Sequence, residues 1–160
     1  MTTRTYAFVQ EPAGELYQLL LSCAVGSCAT ALLVVRPDLG LSRSGAELLE
    51  QLRPHVHRTY EASSWPGTTL MEDSVTVHEI AFDGDVAHAL GSAAHNLFQW
   101  QQPALPEDLC LLRADGSPWL TTISHERDAY LSLTDPELDQ LSRRCPDLLG
   151  HLRAESTGSG

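Results

Sequence analysis

The 160-residue chain contains no lysine, and arginine supplies all ten of its strongly basic side chains. Three kinds of chemistry need a lysine amine: Schiff-base catalysis, the Walker-type phosphate loop and the Ser-Lys catalytic dyad. The sequence therefore excludes all three. It also has no Gly-x-Ser-x-Gly nucleophile elbow, no dinucleotide fingerprint and no glycine-rich phosphate loop. We accordingly predict that the protein uses no cofactor.

Positive charge is scarce throughout the chain. There are 21 acidic residues against 10 basic ones, which gives a formal net charge of −11 at pH 7. Nucleic acid and anionic membrane surfaces carry charge of the same sign, so neither is predicted as a partner. No apolar run is long enough to span a bilayer. The charge favours a basic protein as the partner.

The four cysteines lack the spacing of a zinc site. Cys23 and Cys28 are flanked by apolar residues, and Cys110 lies within an apolar strand pattern, where an inert thiol with a raised pKa is expected. The residues that follow Met1 do not resemble a secretory signal peptide. These features together predict a cytoplasmic protein whose thiols, including that of Cys145, are reduced.

Hydrophobic periodicity predicts one globular domain over residues 1–153, followed by a flexible tail over 154–160. Strands and helices alternate in the order β-α-β-α-β-β-α-β-β, and a further strand and a final helix follow. Ser44–Glu47 has the form of a capping box, apolar spacing predicts a helix from Asp85 to Trp100, and the final helix is predicted to begin at Thr134 with Glu137 three residues later. Ala29 to Val35 is predicted as a central strand, and Asp115-Gly116 as a hairpin turn. The fold class is α+β or α/β: a two-layer sandwich with a mixed, mostly antiparallel sheet and helices packed on one face.

The stretch Ser117 to Tyr130, SPWLTTISHERDAY, contains the most suggestive polar residues of the chain. His125 ends a strand-like run, and Glu126 and Asp128 follow closely enough to orient an imidazole or raise its pKa. One interpretation makes His125 a general base, with Glu126 or Asp128 as its orienting partner. The other makes it a recognition residue, or a polar corner whose ring caps backbone groups at the strand end.

Two tryptophans are further candidates for a binding surface. Trp65 and Thr68 lie in the loop SSWPGTTLMED, which is either an exposed recognition loop or a packed turn with a positive φ at Gly67. Strict alternation along WLTTIS places Trp119 on the same side of its strand as His125. We therefore predict a binding site formed by Trp65, Thr68, Trp119 and His125.

A metal site at three histidines is an alternative interpretation. His55 and His57 are two residues apart and would share one face of a strand. His78, on the strand predicted to lie next to them, would supply the third ligand. The competing interpretation is an exposed polar face with no metal.

The segment Leu105 to Tyr130, LPEDLCLLRADGSPWLTTISHERDAY, resembles a segment of small bacterial α/β proteins. The shared features are a Pro-Glu-Asp lead-in, a hairpin, an aromatic residue and a His-Glu pair at the end. Some of these proteins are similar to acidic immunity proteins that pair with polymorphic toxins. The resemblance implies neither a substrate nor a mechanism.

These observations favour a non-enzymatic cytoplasmic protein that holds a protein partner through an acidic surface, as an immunity-type inhibitor would. The alternative is a small hydrolase or transferase with His125 as its general base. The sequence thus predicts a binding function first and a catalytic one second.

Overall fold

The computed structural model describes residues 1–155, which form a ten-stranded, five-helix structure. The strands are β1 (Arg4–Phe8), β2 (Thr30–Val35), β3 (Val56–Ala62), β4 (Ser64–Trp65), β5 (Thr68–Thr69), β6 (Val75–Ala81), β7 (Glu107–Leu112), β8 (Pro118–Ile123), β9 (Asp128–Leu133) and β10 (Leu152–Ala154). The helices are α1 (Glu15–Ala24), α2 (Arg43–Leu52), α3 (Gly84–Ala93), α4 (Asp135–Arg144) and α5 (Pro146–Leu149).

Eight of the strands form one antiparallel sheet in the order β10-β1-β9-β8-β7-β2-β6-β3. Strand β2 lies inside this sheet between β6 and β7, and its four central residues are buried. The central strand is therefore confirmed. A run of apolar residues without alternation is what burial on both faces of a sheet requires.

All five helices pack on one face of the sheet, as predicted. Each contributes a buried apolar side chain to the main core, and strands β2, β6, β7, β8 and β9 contribute their inward residues. We call this side of the sheet the helix side. The helix contributions include Leu20, Leu52, Leu90, Leu141 and Leu148, each at most 6% exposed.

The opposite side of the sheet is covered only in part. Strands β4 and β5 form a short separate hairpin, and Trp65 of β4 packs with side chains of β2, β6 and β7 in a second, smaller core. We call this the hairpin side. Gly67 forms the hairpin turn with a φ of 89°, and a Cβ there would lie 2.9 Å from side-chain atoms of Thr121 and Ile123. The packed turn is thus the correct interpretation of this loop.

The last long helix begins where its sequence predicts. The Thr134 side chain accepts from the backbone N–H of Glu137, and the Glu137 carboxylate accepts from the N–H of Thr134 at 2.8 Å. This reciprocal pair is a capping box. A second capping box, predicted over Ser44–Glu47, is wrong. The N-cap position of α2 is Ser42, two residues earlier, and the Ser44 hydroxyl donates instead to the carbonyl of Ala104.

Helix α3 is shorter than its apolar spacing predicts. It ends at Ala93, and Leu97–Gln99 forms a separate 3-10 turn. The Gln99 side chain accepts from the backbone N–H of Asn96, which fixes the break. Leu97 and Trp100 remain buried in the helix-side core, so burial continues although the helix does not.

The prediction that all four thiols are reduced is wrong for two of them. Cys23 at the end of α1 forms a disulfide with Cys145 at the end of α4, across 122 residues of sequence. Helix α5, which follows α4 directly, packs against both α4 and α1 and so brings the two cysteines together, which spacing along the chain does not reveal. Cys28 and Cys110 are free and buried, and burial raises the pKa of each thiol to about 12.

Residue 154, where the tail was predicted to begin, belongs to the sheet. Ala154 pairs with Tyr6, and the N–H of Glu155 donates to the carbonyl of Thr5. The rest of the predicted tail, residues 156–160, lies outside the described residues. Between residues 1 and 155, no helix is long and apolar enough to cross a membrane.

Candidate functional site at the end of strand β8

His125 lies in a 3-10 turn, Ser124–Glu126, that follows β8. It is exposed, and Arg127, with a φ of 57°, turns the chain into β9. The structure brings His125 to Glu107 and Asp108 of β7: one ligand atom from each of the three side chains lies within 4.8 Å of the others. We call these three residues the carboxylate–histidine cluster. Within residues 1–155 it is the only group of three or more potential metal ligands of this kind.

The acids predicted to orient His125 are not the ones in this cluster. Glu126 and Asp128 are exposed, at the end of the turn and the start of β9, and the cluster contains neither. Pairing of β7 with β8 in the hairpin instead brings Glu107 and Asp108 close to His125. Leu111 pairs with Leu120. When this register is continued away from the hairpin turn, Asp108 lies opposite Ile123, two residues before His125.

A β-bulge brings the two adjacent acids together. Leu32 of β2 pairs with Cys110 whereas Val34 pairs with Glu107, so Asp108 and Leu109 both lie opposite Leu33. Asp108 adopts a φ of 54°, a left-handed conformation that costs free energy in a residue other than glycine. Regular strand alternation would send neighbouring side chains to opposite faces, and the bulge removes that alternation here.

Asp108 holds two other parts of the chain in place. Its Oδ2 accepts from the indole Nε1 of Trp65 at 3.0 Å, and its Oδ1 accepts from the backbone N–H of Ser124 at 2.9 Å. The first bond anchors the β4–β5 hairpin, and the second fixes the turn that carries His125. The Glu107 carboxylate accepts from the backbone N–H of Gln102 at 2.8 Å.

Both acids are almost completely inaccessible to water. Glu107 is 3% exposed and Asp108 is 1% exposed. Burial raises the pKa of each carboxyl group, and its hydrogen bonds, together with the positive charges of His125 and Arg36, offset this only in part. Within residues 1–155 neither acid forms an ion pair with an arginine. Two adjacent buried carboxylates without a bound counter-charge are unusual.

Ser124 adds an unpaired polar group beside the cluster. The residue is fully buried and its N–H donates to Asp108, while its hydroxyl has no hydrogen-bond partner among the described residues. The hydroxyl of Thr68, next to Trp65 in the hairpin, is likewise buried and unpaired. Most buried hydroxyls in proteins are paired, so these two call for an explanation.

The predicted binding residues are not all on one accessible surface. Trp65 is 7% exposed and Trp119 is 1% exposed, so neither offers its ring to a partner. Trp119 lies on the helix side, where it lines a small cavity with Cys23 and Leu141. A second bulge explains this placement: Leu111 pairs with Leu120 but Leu112 with Pro118, so Trp119 is an extra residue and the predicted alternation fails. Thr68 is half-buried, and His125 alone is exposed.

The alternative metal ligands His55, His57 and His78 do not come together. The Nε2 of His57 is 3.3 Å from a carboxylate oxygen of Glu79, which faces the hairpin side beside Leu32. His78 pairs with Leu33 and faces the helix side, where it borders a groove next to α2. His55 precedes β3 in a 3-10 turn. Histidines on opposite faces of a sheet cannot share an ion.

The hairpin side is covered unevenly. The smaller core under the β4–β5 hairpin includes side chains of β7, β2, β6 and β3, and the hairpin's Gly67 approaches Thr121 and Ile123 of β8. Among the described residues, this core includes no side chain of β9, β1 or β10. Tyr130 of β9 lies next to the covered part, paired with Thr121 of β8 on one side and Ala7 of β1 on the other. Glu126, Asp128 and Glu155 lie near Tyr130. We call the hairpin-side surface of β9, β1 and β10 the open half-sheet.

Comparison with known proteins identifies no relative. No family model matches the chain, and no curated protein or solved structure does.

Proposed function

We propose that the protein holds a basic protein partner on the open half-sheet. The observation that carries this proposal is a partly exposed tyrosine with three carboxylates near it, on a strand that contributes nothing to the core beneath the β4–β5 hairpin. Glu126 ends the 3-10 turn before β9, Asp128 is the first residue of β9, and Glu155 follows β10. Burial and these three carboxylates raise the pKa of the Tyr130 phenol, in agreement with their proximity.

The shape and chemistry of this surface suit a macromolecule. An open sheet face offers a broad contact area, whereas small ligands are usually enclosed in concave pockets. Tyrosine is a residue type that often dominates the free energy of protein association. A rim of carboxylates steers an arginine- or lysine-rich partner and speeds its association, which agrees with the net charge of −11. An immunity-type inhibitor of a basic toxin would use such a surface.

The proposal is tested with a double charge-neutralising variant, Glu126→Gln with Asp128→Asn. The probe is an arginine-rich peptide that also contains leucine, and binding is measured by fluorescence anisotropy at low and at physiological salt. We expect this variant to weaken binding by about tenfold at low salt, because each lost carboxylate removes an attractive charge near the contact. Tyr130→Ala should weaken it at both salt concentrations.

A matched control distinguishes an effect of this particular surface on binding from an effect of the overall charge of the protein. Glu72→Gln with Asp73→Asn makes the same change of charge at two exposed residues between β5 and β6. This control should bind the peptide almost as well as the unmodified protein. Equal weakening by both double variants, or no binding at all, would overturn the proposal, provided that thermal melts show every variant to be folded.

Cytoplasmic action is also a proposal. The Cys23–Cys145 disulfide bears on it, because cytosolic thiols are ordinarily kept reduced. Alkylation of thiols in intact cells, followed by mass spectrometry of the peptides containing Cys23 and Cys145, measures their state directly. Unmodified residues would place the protein in an oxidising compartment and would overturn the cytoplasmic assignment.

A further inference from the structure

The carboxylate–histidine cluster combines three features that a binding site for a small cation requires. Two carboxylates and one imidazole converge within 4.8 Å. The two acids are buried, with no arginine bound to them among residues 1–155. A fully buried hydroxyl without a partner, that of Ser124, lies beside them. We propose that Glu107, Asp108 and His125 bind a divalent metal ion of the Zn²⁺ or Mn²⁺ class.

The electrostatic argument begins with the cost of burial. Ionised carboxylates in a protein interior are normally paired with a cationic group or coordinated to a metal. Glu107 and Asp108 are adjacent in sequence and repel each other when both are ionised. The imidazole of His125 is the nearest titratable base, and it is exposed. A divalent ion would neutralise both carboxylates at once.

The distances are close to those of a bound ion. Two ligand atoms about 2.1 Å from a shared metal lie at most about 4.2 Å apart. The ligand atoms of the cluster lie within 4.8 Å of one another, so a contraction of at most about 0.6 Å brings each pair to this limit. His125 can provide it, because its side chain is exposed and free to rotate, while the two acids are held by the strand.

The surroundings of Asp108 resemble the outer shell of a metal site. The indole of Trp65 and the amide of Ser124 each donate to one carboxylate oxygen, which fixes its orientation and leaves lone pairs on both oxygens. Such outer partners orient ligands in metalloproteins. Ser124 itself is fully buried, and its hydroxyl has no hydrogen-bond partner within residues 1–155.

The donor set selects the class of metal. Mg²⁺ and Ca²⁺ prefer oxygen ligands alone, whereas an imidazole nitrogen favours Zn²⁺ and other transition metals. Two carboxylates with one imidazole are an intermediate set, which suits Zn²⁺ or Mn²⁺. This inference is independent of the proposed partner surface, since it uses different side chains and a different observation.

The experiment titrates the EDTA-treated and dialysed protein with Zn²⁺ and, separately, with Mn²⁺ and Mg²⁺. Binding is measured by calorimetry, and Co²⁺ serves as a spectroscopic probe of an imidazole–carboxylate site. We expect one ion per chain and a melting temperature that rises with Zn²⁺ or Mn²⁺ concentration. His125→Ala and Glu107→Gln should each weaken binding at least about tenfold. His125 is exposed, so its variant should fold and remain informative.

The control is His57→Ala, which removes another exposed histidine that lies close to a carboxylate, that of Glu79. It should bind metal as the unmodified protein does. The proposal fails if the unmodified protein binds no stoichiometric metal, if Mg²⁺ binds as tightly as Zn²⁺ and Mn²⁺, or if His125→Ala binds unchanged. Equal loss in His57→Ala and His125→Ala would also overturn it, since that result indicates unspecific surface binding.

Discussion

Two clusters of buried charged side chains in this protein differ in whether an arginine neutralises their acids. The Arg113 guanidinium donates from Nε to one oxygen of the Glu137 carboxylate at 3.0 Å and from Nη2 to the other at 2.6 Å. It also donates to the carbonyl of Pro118 at 2.8 Å and to that of Ser132. In the carboxylate–histidine cluster, by contrast, two buried acids share no arginine within residues 1–155.

The difference separates a structural role from a functional one. The Arg113–Glu137 pair connects helix α4 to strands β7, β8 and β9, and its hydrogen bonds account for all three guanidinium nitrogens. No nitrogen of the Arg113 guanidinium is left to bind a ligand. Glu107 and Asp108 are buried without an arginine ion pair in the described part of the chain and lie next to an exposed imidazole, so an external cation can still bind.

Removal of one partner from the paired cluster should have the largest effect. Arg113→Met leaves Glu137 partly buried and without its guanidinium, and we expect a loss of about 3 to 5 kcal/mol in the free energy of unfolding. Urea denaturation measures it. The double variant Arg113→Met with Glu137→Leu should recover a large part of the loss, because it leaves no charge unpaired. A single variant as stable as the unmodified protein would contradict the structural role.

Reduction of the disulfide should have the next largest effect. Cys23 and Cys145 are 122 residues apart, so the bond constrains a long loop in the unfolded chain, and we expect reduction to cost about 2 to 4 kcal/mol. Thermal melts with and without dithiothreitol measure the change. The Cys23→Ser with Cys145→Ser variant is the control, and its melting temperature should not respond to dithiothreitol. A response in Cys28→Ser equal to that of the unmodified protein is also expected.

Within the unpaired cluster, Asp108 and His125 should differ in their effect on stability. Asp108→Ala removes the acceptor of two buried hydrogen bonds, from Trp65 and from Ser124, and should cost about 1 to 3 kcal/mol. His125→Ala should change stability by less than about 0.5 kcal/mol, because the side chain is exposed. Denaturant unfolding in EDTA measures both. A large loss for His125→Ala would restore the interpretation of His125 as a cap of the strand end.

The sequence predicts the architecture better than the site, for a physical reason. Apolar periodicity predicts which side of an element is buried, and turn and capping residues predict where elements begin and end. The central strand β2, the Asp115-Gly116 turn and the Thr134 cap are therefore all predicted correctly. Bulges shift the register by one residue, and no local pattern marks them. The strict alternation that placed Trp119 beside His125 fails at such a bulge.

Glu107 and Asp108 were assigned no role by the sequence, although a signal exists. Two consecutive acids directly precede the apolar run of Leu109 to Leu112, and outward counting from the hairpin turn brings them level with the residues before His125. Their burial could not be inferred, because it depends on Trp65 of the separate β4–β5 hairpin folding over Asp108. The sequence names His125 as the main polar candidate with Glu126 and Asp128 as its partners, whereas the structure places Glu107 and Asp108 beside it.

The smallest expected effect is a difference in pH dependence between the two clusters. Burial raises the folded-state pKa of Glu107 above its ordinary value of about 4, so the protonated form is favoured in the folded protein. Its stabilising contribution is present at pH values below the unfolded-state pKa and is lost as the pH rises through the folded-state pKa. For Glu137 the hydrogen bonds and charge of Arg113 outweigh burial and lower the pKa. Its contribution is present above the unfolded-state pKa and is lost as the pH falls through the folded-state pKa.

Glu107→Gln and Glu137→Gln should therefore change the pH profile of stability in opposite directions. With EDTA present, the free energy of unfolding is measured from about pH 3 to pH 7, a range around the ordinary carboxyl pKa. Relative to the unmodified protein, Glu107→Gln should become comparatively more stable as the pH rises, since it no longer has a carboxyl group that must ionise in the interior. Glu137→Gln should lose its disadvantage as the pH falls, since the unmodified carboxylate is then protonated as well. Parallel profiles for all three proteins would show that neither carboxyl group titrates differently in the folded and unfolded states, and the contrast between the paired and the unpaired cluster would then fail.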